Sequence, residues 1–256
     1  MTDFYVGYLP KTPVTIARFV RRAVAALGFL AVALALVFVI AQLPFANSAF
    51  EYGKLRKFEG TIATQPYPTL LVARPGDATQ EQKYSEYLLV APGKHGADDL
   101  VAGLNGKHVR LQGQLIYRAG GTMVEVVPGS IAATESVPSS EEPTRDLGSV
   151  TVTGEIVDSK CYLGVMNPGN GKVHRDCAAR CLSGGTPPMF VTTDGNQLLL
   201  VGPDGSALTH DALREFVAET LTIRGDLLQR GEMRFLRIDL RELRHTPDRI
   251  EAALGK

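Results

Sequence analysis

The feature that most constrains this chain is an uncharged apolar run near its N-terminus, AVAALGFLAVALALVFVIAQL at residues 23–43. About 20 apolar residues can cross a bilayer core as a helix, whereas a cleavable signal has an apolar region of roughly 7 to 15. The run lacks the polar face of a soluble amphipathic helix. We therefore predict an uncleaved transmembrane anchor at residues 23–43, which contacts the lipid bilayer. The alternative is cleavage at the segment FANSAF that follows it.

Basic residues flank the apolar run on both sides, and the arginines that precede it lie closer to it than the basic residues that follow. The positive-inside rule then places residues 1–22 in the cytoplasm. We predict a single-pass protein of the cytoplasmic (inner) membrane, whose C-terminal domains are extracytoplasmic and, in a Gram-negative cell, periplasmic. The flanking basic residues are Lys11, Arg18, Arg21 and Arg22 before the run and Lys54, Arg56 and Lys57 after it.

The composition disfavours a nucleic-acid partner. Lys and Arg number 27, as do Asp and Glu, and the chain has no Trp. A protein that binds nucleic acid usually carries a basic excess, and single-strand binders stack bases on aromatic rings. The sequence also contains no Ser-His-Asp order, phosphate-binding glycine loop or paired catalytic carboxylates that we can assemble. It does not decide whether the protein is an enzyme, but it favours a protein that is not an enzyme by itself.

Two segments of similar sequence follow the anchor. YLLVAPGKHGADDLVAGLNGKHVRLQGQLIYR in the first corresponds to LLLVGPDGSALTHDALREFVAETLTIRGDLLQR in the second. Each reads as short strands with a helical stretch before the longest strand, which is the order of an OB-type barrel. The predicted fold is mainly β, with an N-terminal transmembrane helix followed by two tandem OB-like five-stranded barrels. The predicted divisions are a cytoplasmic segment (1–22), the anchor (23–43), the first barrel (52–132), a polar linker (133–148), the second barrel (149–246) and a C-terminal tail (247–256).

All three cysteines lie in one insertion of the second segment, CYLGVMNPGNGKVHRDCAARC, at a position where OB folds carry ligand contacts. VHRDCAARCL favours a helix, on which His174, Cys177 and Cys181 share one face at i, i+3 and i+7, and Cys161 can fold back over that face. Three thiolates and an imidazole form a tetrahedral set that zinc favours, and thiolates also suit copper(I) or an iron–sulfur centre. The predicted metal ligands are Cys161, His174, Cys177 and Cys181, and the cofactor is zinc, copper or an iron–sulfur centre.

The same cysteines leave two alternatives open. Outside the cytoplasm cysteines tend to pair, and a disulfide from Cys161 to Cys177 or Cys181 would staple the insertion to the barrel, a stabilisation of about 2–4 kcal/mol. Buried or redox-active thiols are the other alternative. Asp158 and Lys160 could support the cluster through hydrogen bonds, but we expect them to be exposed charges at the end of a strand.

Residues 150–240 resemble a module found in small, uncharacterised exported bacterial proteins. The shared pattern is D-x-x-C, then H-x-x-C-A-x-x-C and a glycine, here Cys161, His174, Cys177, Cys181 and Gly184. The resemblance implies an exported OB-like module and no particular activity. We expect a membrane-anchored accessory subunit associated with a membrane redox complex, with a Cys/His metal or redox site in its second barrel. The alternative is a non-catalytic interaction or assembly protein whose cysteines form a structural disulfide.

Overall fold

The computed structural model describes residues 12–42, 48–75, 84–135, 143–208 and 210–243. The predicted C-terminal tail, the middle of the predicted linker and the first half of the predicted N-terminal segment lie outside these ranges. The chain divides into two compact units, Met1–Ala46 and Asn47–Lys256.

The described part of the first unit forms one helix, α1, at Val14–Gln42. Within the 28 residues from Val14 to Ala41, the most apolar stretch reaches a mean hydropathy of 2.9, and none of that stretch is buried. At 1.5 Å per residue this length is about 42 Å, which exceeds the ~30 Å of a bilayer core. The helix is therefore long and apolar enough to cross a membrane, as predicted. It begins well before residue 23, because the arginine-containing segment continues the same helix.

The second unit begins with a closed five-stranded barrel. In its longest strand, Val109 and Leu111 are buried while Arg110 and Gln112 are exposed, as alternation in a strand with one buried face requires. Three short strands, at Ser48–Phe50, His95–Gly96 and Ala132–Ala133, pair at the edges of this barrel. The strands are β1 Ser48–Phe50, β2 Arg56–Ala63, β3 Thr69–Ala73, β4 Tyr84–Ala91, β5 His95–Gly96, β6 His108–Arg118, β7 Gly121–Val126 and β8 Ala132–Ala133.

A second closed five-stranded barrel follows, with a helix-containing insertion between its first two strands. Its first strand, β9, begins at Arg145, inside the segment predicted as linker, and pairs along most of its length with β12. The strands and helices are β9 Arg145–Asp158, α2 Arg175–Ser183, β10 Pro188–Thr192, β11 Gln197–Val201, α3 His210–Leu213, β12 Thr220–Arg230 and β13 Met233–Arg237.

The two barrels have the same strand order. In each, the third strand pairs in parallel with the fifth, β4 with β7 and β11 with β13, and all other pairings in the closed circuit are antiparallel. A short helix precedes the fourth strand in both copies, the 3₁₀ turn Asp98–Leu100 in the first and α3 in the second. This is the order that the sequence predicts for two OB-like barrels, and it is confirmed.

The barrels also share an apolar core. Two clusters fill the barrel interiors separately, and a third cluster contains buried side chains from both barrels. The barrels therefore pack against each other through a shared apolar seam, and apolar burial of this kind favours their association. The shared cluster consists of Tyr67, Leu88, Val90, Ile116 and Met123 from the first barrel and Val157, Tyr162, Leu163, Met189, Val191, Leu199, Val201, Leu228 and Phe235 from the second.

Candidate metal centre

The insertion between β9 and β10 holds the three cysteines, and its local fold follows from its sequence. The Asp158 carboxylate, at the end of β9, accepts the Cys161 N–H at 2.8 Å, at the start of the helical turn Cys161–Val165. A 3₁₀ turn at Lys172–His174 leads into α2, which ends at Ser183, just before Gly184 and Gly185. Both connections turn the chain back, so that α2 lies over the end of β9.

The three cysteine sulfurs converge. The Cys161 Sγ lies 3.8 Å from the Cys181 Sγ and 4.0 Å from the Cys177 Sγ, and all three sulfurs lie within 4.8 Å of one another. Cys161 and Cys181 are buried, Cys177 is half-buried, and none is in a disulfide. The structure thus brings together the three cysteines that the sequence predicts as ligands.

His174 belongs to a second group with Asp158 and Cys161, whose ligand atoms also lie within 4.8 Å of one another. The His174 Nε2 is 3.1 Å from the Asp158 Oδ2, and both side chains are buried. The two groups share Cys161, and His174 is not in the group formed by the three sulfurs. That His174 ligates the same ion as the three cysteines stays a prediction.

The expectation that Asp158 and Lys160 are exposed charges is wrong. Asp158 has no exposed surface and Lys160 is 2% exposed. Burial of charged groups requires partners. Asp158 has the Cys161 N–H and His174, and the Lys160 Nζ donates to the carbonyls of Ala91 at 2.8 Å and Gly93 at 2.7 Å.

Lys94 reaches the sulfurs from the first barrel. It lies in the turn between β4 and β5, and its Nζ is 2.7 Å from the Cys177 Sγ and 3.6 Å from the Cys181 Sγ. Sequence reasoning missed this residue, because the corresponding region of the first segment contains no cysteine and nothing in its pattern indicates what it contacts. The candidate site is therefore built from both barrels.

The turn that carries Lys94, which we call the Lys94 hairpin (residues 91–96), packs backbone to backbone on the end of α2. The Gly96 N–H donates to the Gly184 carbonyl at 2.8 Å. A Cβ at position 184 would lie 1.8 Å from the Lys94 carbonyl oxygen, a separation that no side chain tolerates. Glycine at 184 therefore ends α2 and also admits the Lys94 hairpin.

The surroundings shift the pKa values of two of the thiols in opposite directions. Cys181 accepts a hydrogen bond from Cys161, and this bond together with the Lys94 ammonium lowers the pKa of Cys181. The same bond, burial and the negative charge of Asp158 raise the pKa of Cys161. The hydrogen bond to Cys177, with the nearby sulfur charges, raises the pKa of Lys94. Lys94 is thus a cation that stabilises thiolate at this cluster.

The chain matches no protein-family model, no curated protein and no solved structure. Support for the predicted motif therefore comes from the structure, in which Cys161, His174, Cys177 and Cys181 lie close together with Asp158.

Proposed function

We propose that this protein is a membrane-anchored metal-binding protein, in which Cys161, Cys177 and Cys181 hold one ion at the seam between two OB-like barrels. The observation that carries the proposal is the spacing of the sulfurs. Zinc–thiolate bonds of about 2.3 Å at tetrahedral angles separate the sulfurs by about 3.8 Å. The observed separations of 3.8 and 4.0 Å match this value, so one ion fits between the sulfurs with little rearrangement.

The spacing also bears on which cofactor is held. The cysteines of an iron–sulfur cluster are spread over different iron atoms, which separates their sulfurs further than ligands of a single ion. Convergence on one point favours a single thiophilic ion, zinc or copper(I). The fourth ligand in this proposal is His174, which would exchange its bond to Asp158 for one to the ion, as Asp158 keeps the Cys161 N–H.

We further propose that the barrels are extracytoplasmic and that the protein is an accessory subunit of a membrane redox complex. Support comes from the apolar helix and from the character of the site. Two of the three sulfurs are buried, and Lys94 lies against the third, so substrate has little access and a structural or electron-transfer role is favoured over catalysis. A periplasm-dependent reporter enzyme fused after residue 256 should be active; a fusion active only in the cytoplasm would reverse the orientation.

The decisive test combines two measurements on the full chain, purified in detergent without reductant. Thiols are counted under denaturing conditions, and metals are measured by elemental analysis. Three free thiols with about one equivalent of metal support the proposal. One free thiol without metal contradicts it and favours the alternative, a disulfide-stapled interaction protein. Cys181→Ser should abolish the metal, while the matched control His210→Gln, outside the cluster, should retain it.

Association with a redox complex is tested separately. Membranes are solubilised in a mild detergent, and the protein is followed by size and by visible absorption of the fractions. We expect it to migrate in a large species that carries redox cofactors, and migration as a free subunit would contradict this part of the proposal. Loss of the large species in the Cys181→Ser variant would connect the metal to assembly.

A further inference from the structure

Lys94 has an unusual set of partners for a lysine. Among the residues that the structure describes, its ammonium bonds to the sulfurs of Cys177 and Cys181 and pairs with no carboxylate. A lysine that is half-buried and directed at sulfur places a full positive charge against the ligand atoms of the proposed centre.

The position of Lys94 is fixed from both sides. Lys160, from the second barrel, holds the carbonyls of Ala91 and Gly93, and the Gly96 N–H is bonded to the Gly184 carbonyl. The residues that flank Lys94 in the Lys94 hairpin are thus tied to the barrel that carries the cysteines. Because the backbone is held on each side of it, Lys94 is presented to the sulfurs by a preorganised loop, and only its side chain remains to be ordered.

Charge balance indicates which charge of metal ion this arrangement favours. Three thiolates carry three negative charges and Lys94 carries one positive charge, so a divalent ion makes the combination neutral. A monovalent ion leaves one negative charge, and charge left uncompensated in a buried site is costly. When His174 binds the ion, Asp158 keeps the Cys161 N–H, and its negative charge beside the cluster adds to the need for Lys94.

We infer that Lys94 is an outer-sphere residue of the metal centre, which the first barrel supplies to the cysteines of the second, and that with it the site takes a divalent thiophilic cation. This inference rests on the proposed function. It assigns the first barrel a role in metal binding although that barrel carries no cysteine. Lys94 positions and neutralises the thiolates and does not itself bind the ion.

The test compares Lys94→Met, which removes the charge, with Lys94→Arg, which keeps it. Lys107→Met, at an exposed lysine of the same barrel, is the matched control. Affinities of the full chain in detergent for Co²⁺ and for copper(I) are measured without oxygen by competition with chromophoric chelators. Thermal unfolding of each metal-free variant shows whether it folds.

We expect Lys94→Met to weaken Co²⁺ binding about tenfold or more, the size of effect that outer-shell partners have, and Lys94→Arg to recover most of it. The affinity for copper(I) should fall more than the affinity for Co²⁺. Three thiolates with a monovalent ion carry twice the net negative charge that they carry with a divalent ion, and this charge faces position 94. The sulfur-to-cobalt charge-transfer band should move to lower energy, since the thiolates lose a hydrogen bond. Lys107→Met should match the wild type.

Each other outcome overturns the inference. Unchanged affinities in Lys94→Met would remove Lys94 from the centre. Equal losses for both ions, with an unmoved band and no rescue by Arg, would show that the residue only supports the fold. If the wild type itself binds neither ion, the proposed function fails and the inference fails with it. This result differs from the first two because the wild-type protein then binds no metal.

Discussion

The ammonium of Lys160 in the second barrel lies 2.5 Å from the carboxylate of Glu125 in the first, and both side chains are buried. Removing one partner of a buried ion pair leaves an uncompensated charge, which costs about 3–5 kcal/mol. We expect Lys160→Met to lower the free energy of unfolding by this amount, measured by chemical denaturation of the full chain in detergent with tyrosine fluorescence as the probe.

A double variant separates the pair from the packing around it. Lys160→Met combined with Glu125→Leu removes both charges, and its loss of stability should be smaller than the sum of the two single losses. Arg56→Met is the control, because Arg56 forms an exposed pair with Glu51 and exposed pairs contribute about 0–1 kcal/mol. Additive losses at 160 and 125 would contradict a direct interaction across the seam.

The shared apolar cluster predicts how the chain responds to a cut between the barrels. A protease site introduced within residues 136–142 should be cleaved, because polar linkers are preferred sites for nicking. We expect the two fragments to remain associated in size-exclusion chromatography, because buried side chains from both barrels form one core. Separate elution of two folded fragments would show instead that the barrels are independent domains.

The burial of Tyr67 predicts that the free energy of unfolding falls at alkaline pH. Its hydroxyl donates to the Leu200 carbonyl and accepts the Leu208 N–H, and burial raises the pKa of Tyr67 well above its ordinary value of 10.0. The folded protein therefore keeps a proton that the unfolded chain releases. Stability from this group is complete below pH 10 and is lost as the pH rises further, by about 1.4 kcal/mol per pH unit.

Tyr67→Phe should remove this alkaline loss, and it should lower stability at neutral pH by about 1–3 kcal/mol because the Leu208 N–H loses its acceptor. Unfolding free energies between pH 8 and 11 measure both effects. Tyr52→Phe, at a tyrosine that is 79% exposed, should leave the pH dependence as it is in the wild type. An unchanged alkaline slope in Tyr67→Phe would contradict the assignment.

Variants of His174 test whether this residue is itself a metal ligand or only orients its neighbour Asp158. If His174 completes the tetrahedron, both His174→Ala and His174→Gln should lower the affinity for Co²⁺ strongly and change the visible spectrum of the cobalt protein. If it only orients Asp158, His174→Gln can keep that hydrogen bond and should bind nearly as the wild type. We expect the first result, with Cys181→Ser as the reference for a lost ligand and His210→Gln as the control.

Much of the fold follows from local patterns in the sequence. Alternation of apolar residues in HVRLQGQLIYR and TLTIRGDLLQR identifies the two longest strands, and the similarity of the two segments predicts that both form the same barrel. The uncharged run predicts α1. Convergence of Cys161 with Cys177 and Cys181 is also predictable, because it depends only on one helix and the strand that precedes it.

The rest depends on packing between the copies, which no local pattern encodes. Lys94 is 83 residues from Cys177, and the contact between them exists only because the two barrels share a seam. Lys160 and Asp158 look like surface residues in the sequence because charged side chains are seldom buried. Lys160 contacts Ala91, Gly93 and Glu125, and Asp158 contacts His174. These contacts are evident only in the three-dimensional structure.

The backbone contact between Gly96 and Gly184 joins two barrels of the same strand order that contribute unequally to the site. The second barrel carries the sulfurs, and the first carries the short loop that packs on the glycine end of α2. Neither side can diverge at this contact without a compensating change in the other. In chains of the same design, residues 94–96 and 184–185 should therefore vary together, so that this contact is kept or lost as one unit.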